Sequence, residues 1–73
     1  MDQSAVDARA ELMQSSEEFR QLAAQHSNYD RRIEELSSRR FPSQEEQIEE
    51  ARLKKIKLHL KDQMAQMVSE HTH

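Results

Sequence analysis

The chain predicts an all-α fold, and three observations carry that expectation. It contains no glycine and a single proline in 73 residues. It is rich in Glu, Gln, Lys, Arg, Leu, Ala and Met, the residues that lose least on entering a helix. Its apolar side chains recur three and four residues apart, the spacing that lines one face of a helix. Without glycine, tight hairpin turns and glycine-lined phosphate loops are both disfavoured.

The same composition bounds how the chain reaches stability. Charged and hydrophobic residues each make up 34%, so the core of one copy is thin. Below roughly 70–80 residues a lone core is marginal without staples. No cysteine is present, which removes disulfides and any cysteine-based metal site. One small domain spanning 1–73, stabilised by self-association, is the expectation. No apolar run approaches a membrane span, and the N-terminal residues lack an apolar signal core, so a cytoplasmic protein is expected. A net charge of −3 argues against wholesale nucleic-acid binding, though not against a local basic patch.

Taken in order, Val6, Ala10 and Met13 are spaced four and three, which predicts a short amphipathic helix over about 4–13. Alone it is too short to be stable. Ser15 followed by Glu18 fits a capping box, and Glu17 and Glu18 suit the positive end of a helix dipole. A helix over about 16–38 follows. Its Phe19, Leu22, His26, Tyr29, Ile33 and Leu36 alternate by three and four along one seam. Pro42 disfavours helix at Phe41, and Ser43 with Glu46 forms a second capping box. Residues 39–43 are therefore read as a connection, 44–69 as a second long helix and 70–73 as a frayed tail. A short connection makes antiparallel neighbours, hence a two-helix, coiled-coil-like hairpin.

One stretch tests this reading. "LKKIKLHLKD" (53–62) alternates apolar and polar in its middle, as a half-buried strand does. Its flanks offer no turn residues, and Leu53, Ile56, Leu60, Met64 and Met67 continue as a helical stripe, so the helix is preferred. Pairing Ile33 with Leu53, Tyr29 with Ile56, His26 with Leu60, Leu22 with Met64 and Phe19 with Met67 aligns the two seams in one register. It also brings Arg39 and Arg40 toward Glu46, Glu34 toward Arg52, and Asp30 toward Lys55 or Lys57. At about 100° per residue, Ile48, Ala51 and Leu58 fall on the far side of that helix. They form a second apolar surface that the hairpin does not cover. It is read as the association face.

The segments "HSNYDRRIEEL" (26–36) and "LKKIKLHLKDQM" (53–64) resemble the YdcH-like family of small bacterial proteins. His26, Asp30 and Ile33 match its first pattern, with Tyr29 in place of a leucine. Leu53, Lys54, Lys55, Lys57, Leu58, Leu60, Lys61, Asp62 and Met64 match its second, and Phe19 answers to an upstream phenylalanine. Ile56 stands where a polar residue is expected. The resemblance covers about 15–68 and implies a short coiled-coil hairpin of unknown function with no established enzymatic role. It also implies a shared packing role for the leucine at position 58, and it transfers no catalytic residue.

Candidate chemistry is sparse. His26 on the seam is read as a structural imidazole hydrogen-bonded to Asp30 one turn on, with a pH-sensitive joint as the functional alternative. Glu70-His71-Thr72-His73 contains Glu-x-x-His, but at a chain end where helices fray. The glutamate pairs at 17–18, 34–35, 45–46 and 49–50 suit capping and solvation better than acid–base catalysis. Arg52, Lys54, Lys55, Lys57 and Lys61 could track phosphates, yet they wrap several sides of the helix without aromatic company. No catalytic constellation, cofactor or metal site is expected. The reading is a non-enzymatic structural or adaptor protein acting through helix–helix contacts. A homo-oligomer is its expected state, another helical protein a possible partner, and a membrane is not. Nucleic-acid association through the basic cluster is the alternative.

Overall fold

Three helices make up the computed structural model, which describes residues 3–72. They are α1 (Gln3–Ser15), α2 (Glu17–Ser37) and α3 (Gln44–His71). The chain is all-α, with no strand among the described residues. The stretch that alternated in sequence lies wholly within α3.

The helix ends show how a chain without glycine closes its elements. No described residue has a positive φ, so no left-handed C-cap is available. α2 instead tapers through Ser38 at φ −81° and ψ −10°. There the Ser37 and Ser38 hydroxyls donate to the carbonyls of Glu34 and Glu35. The end of α1 is closed from outside, where the Arg20 guanidinium donates to the carbonyls of Met13 and Gln14 at 3.0 Å. These bonds occupy carbonyls that a helix C-terminus leaves without partners.

The break between α1 and α2 corrects the expected cap. Ser16, not Ser15, is the N-cap: its backbone is extended at φ −116° and ψ 112°, and its Oγ accepts from the Phe19 amide. Ser15 stays helical and turns its hydroxyl back to the Glu11 carbonyl. The residue three beyond the true cap is Phe19, which cannot return a hydrogen bond, so the box predicted with Glu18 does not form. At the start of α3 the box is complete, with Ser43 accepting from the Glu46 amide and Glu46 accepting from the Ser43 amide. α3 then runs to His71, past its expected end.

α2 and α3 carry most of the packing. Arg32 and Asp30 of α2 meet Glu49 and Lys57 of α3, and Arg39 in the connection meets Glu46. The buried side chains are Ala8, Leu12, Phe19, Ile33, Leu36, Leu60 and Met64, and none of them is polar. Leu12, Phe19 and Met64 form one cluster, with Leu22, Ala23, Met67 and Val68 packed against it. α1 therefore lies on its own α2–α3 pair, and it does so through Ala8 and Leu12. Val6 and Met13, read from the sequence as part of its apolar face, are 46% and 44% exposed. Ala5, Ala8 and Leu12 have the same helical spacing as Val6, Ala10 and Met13, and docking on α2 and α3 turns the former inward.

Candidate functional site

The seam and the outer side of α3 are the two surfaces on which the sequence places its candidates. Phe19, Ile33, Leu36, Leu60 and Met64 are buried, while Leu22, His26, Tyr29, Leu53, Ile56 and Met67 are half-buried. Ile48, Ala51 and Leu58 are exposed. A shallow groove of about 320 Å³ runs beside Ile48 and Ala51, walled by Arg52 and Lys55. Phe41, in the connection, is 87% exposed, and the Arg40 guanidinium lies 5.8 Å from its ring centre.

Electrostatics divide the basic cluster. Lys54 pairs with Glu50 at 3.2 Å, one turn back, and Lys57 reaches across to Asp30. Arg52, Lys55 and Lys61 make no ion pair with another described residue. The cluster is thus two committed cations and three available ones. The hydrogen bond from Lys57, reinforced by its charge, holds the Asp30 carboxyl below its ordinary value. Glu46 is likewise lowered, first by the Ser43 amide of the capping box and then by the Arg39 charge.

Several expected partners change. His26 does not hydrogen-bond to Asp30. A lysine on the facing helix carries a full charge on a flexible stem, and it takes that carboxylate. His26 is half-buried and lines a cleft instead. Arg40 stacks on Phe41 and leaves Glu46 to Arg39 at 2.7 Å. Glu34 and Arg52 form no pair. In their place Arg32 grips Glu49 with a two-pronged fork, Nε at 3.1 Å and Nη2 at 3.2 Å, and also reaches Glu35. One residue of offset turns a side chain by about 100°, so opposition on paper does not decide reach. A planar guanidinium matches a carboxylate where geometry allows it.

The terminal motif also has a different use. His71 Nε2 lies 2.6 Å from Glu11 Oε2, tying the end of α3 to α1. His73, the other half of the Glu-x-x-His and His-x-His readings, lies outside the described residues. Among the described residues no group of three or more His, Asp or Glu is placed to hold a metal ion. None of their helices is long and apolar enough to cross a membrane.

Sequence reasoning missed the contact face of α1 and the cleft beside it. The signal for the first was present, because Ala5, Ala8 and Leu12 are themselves spaced three and four. Nothing local ranks that stripe above Val6, Ala10 and Met13. The cleft, lined by residues from all three helices, has no local signal at all.

No curated protein and no solved structure matches the chain. A family model does, over residues 19–68, which takes in the seam of α2 and α3 through Val68. The match spans well over half of the chain and coincides with the resemblance carried by residues 26–36 and 53–64. This chain belongs to the family described as "Protein of unknown function (DUF465)".

Proposed function

We propose that this chain is a non-enzymatic structural or adaptor module of the cytoplasm that acts through helix-on-helix contacts and associates with further copies of itself. On this reading α2 and α3 form an antiparallel, coiled-coil-like hairpin, and hairpins join into a larger bundle. The observation that carries it is the outer side of α3. Ile48 is 53% exposed and Leu58 60%, although the same helix buries Leu60 and Met64. Covering the exposed half of one such side chain stabilises by roughly 1 kcal/mol. That is a large gain for a chain whose own core is so small.

Shape supports the same reading. The radius of gyration is 14.9 Å, against about 11 Å for a compact domain of this length. An elongated three-helix body leaves much of its apolar surface at the rim, where another helix can cover it. Sedimentation of the wild type and Leu58→Glu over a range of concentrations tests the proposal. The expected result is a concentration-dependent oligomer that the variant loses. A monomeric wild type across that range would sink it.

A second reading rests on Arg52, Lys55 and Lys61, which make no ion pair with another described residue that a phosphate would have to displace. Duplex DNA and RNA shift assays at low and moderate salt decide it. Binding that weakens steeply with salt supports nucleic-acid association, and no binding at low salt ends it.

A further inference from the structure

Where α1 lies against α2 and α3, a cleft of about 260 Å³ opens between Ala5 and Arg9 of α1, His26 of α2, and Lys61, Met64, Ala65 and Val68 of α3. Its apolar part is made by Ala5, Met64, Ala65 and Val68. Two of those are alanines, where longer side chains would occupy the space, and Met is the most adaptable of the apolar side chains. Its polar part is Arg9, Lys61 and the His26 imidazole. Among the described residues no carboxylate lines it, although the chain carries 14 acidic residues against 11 Lys and Arg.

Among the described residues the two cations are uncommitted. Neither Arg9 nor Lys61 makes an ion pair or a side-chain hydrogen bond with another described residue, whereas Arg20, Arg32, Arg39, Lys54 and Lys57 all do. In sequence they lie far apart, and only the docking of α1 through Ala8 and Leu12 brings them to one opening. An apolar floor with a cationic rim is complementary to a molecule that is apolar at one end and anionic at the other. The volume lies just below the usual range for ligand clefts, about 300–1,000 Å³, which limits the apolar part to one short chain.

We infer that this cleft is a binding site for a single-chain anionic amphiphile, a medium-chain carboxylate. The alkyl chain lies on Ala5, Met64, Ala65 and Val68, and the carboxylate meets Arg9 and Lys61, with His26 beside them as a further donor. Arginine supplies the planar fork that suits a carboxylate, and lysine a second point charge. The inference is independent of self-association, because it uses the α1 side of α3 and not Ile48 or Leu58.

The experiment is a titration of the full chain, followed by amide and side-chain NMR shifts. The probes are octanoate, octyl phosphate, octanol, octyltrimethylammonium and acetate, each below its micellar concentration. Octanoate is expected to saturate and to move Ala5, Arg9, His26, Lys61, Ala65 and Val68 together. Octanol and acetate, each holding half of the recognised chemistry, should bind about tenfold more weakly or worse, and the cationic amphiphile not at all. Arg9→Gln with Lys61→Gln should cost octanoate at least about tenfold. Ala65→Leu, a substitution at an exposed helical position that fills the cleft, should abolish binding while leaving the helical circular dichroism unchanged.

Three outcomes overturn the inference. One is the absence of saturable octanoate shifts, and another is binding that survives Ala65→Leu. The third is a change in solution mass with Ala65→Leu alone, which would give the cleft to a second copy. Tighter binding of octyl phosphate than octanoate overturns the carboxylate assignment in favour of a phosphate head group.

Discussion

Asp30 is claimed by a lysine from the facing helix, and that choice sets a pH dependence. Its carboxyl lies below its ordinary value of 3.8 through Lys57, and Glu46 below 4.5 through Ser43 and Arg39. A carboxyl lowered on folding adds stability that is complete above its unfolded value and is lost as pH falls through its folded one. Both contributions are therefore present at neutral pH and drain away in acid. Asp30→Asn combined with Glu46→Gln should melt below wild type at pH 7, with the gap closing as pH falls below the ordinary values of 4.5 and 3.8. Thermal melts by circular dichroism check this, and a gap independent of pH contradicts it. The two serines between α1 and α2 make a second residue-scale test. Ser16→Ala removes the α2 cap and should cost about 1 kcal/mol. Ser15→Ala, which loses only a bond back into its own helix, should stay within about 0.5 kcal/mol. Urea titrations of both variants measure the contrast.

At the scale of elements, α1 is the least secured part of the molecule. It buries Ala8 and Leu12, adds the His71–Glu11 contact, and has its last carbonyls closed by Arg20. A helix of 13 residues is marginal by itself, so its order depends on those few contacts. Leu12→Ala, at about 2–5 kcal/mol for a buried leucine, should release α1 while α2 and α3 stay paired. Amide hydrogen exchange is the direct readout: protection should vanish over 3–15 and persist in the centre of α3. Equal loss throughout would mean that α1 belongs to one cooperative unit with the rest. The start of α3 was legible because Ser43, Glu46 and Pro42 act locally on the backbone, whereas the α2 cap fell at Ser16 and not Ser15, and α3 ran on to His71. The face of α1 was not legible, since Val6-Ala10-Met13 and Ala5-Ala8-Leu12 satisfy the same periodicity and only docking separates them.

At the scale of the whole molecule, a body of 45 × 25 × 15 Å is little longer than α3 itself, about 42 Å at 1.5 Å per residue. Such a shape has a high ratio of surface to core, and stability borrowed from association then follows mass action. If copies associate through Ile48 and Leu58, the melting temperature should rise with protein concentration, and Leu58→Glu should remove the dependence. Differential scanning calorimetry at two concentrations well apart measures this. A melting temperature unchanged between them would count against self-association.

The sequence by itself determined the all-α class, the break before α3 at Pro42 and the cap at Ser43. These follow from backbone chemistry and helical periodicity, which act within a few residues. The tertiary structure alone decided that Lys57 takes Asp30, that Arg32 finds Glu49, that His26 faces a cleft and that Arg9 and Lys61 meet at its rim. Each of those depends on the reach and rotation of side chains from different helices, and spacing along a single helix does not encode either.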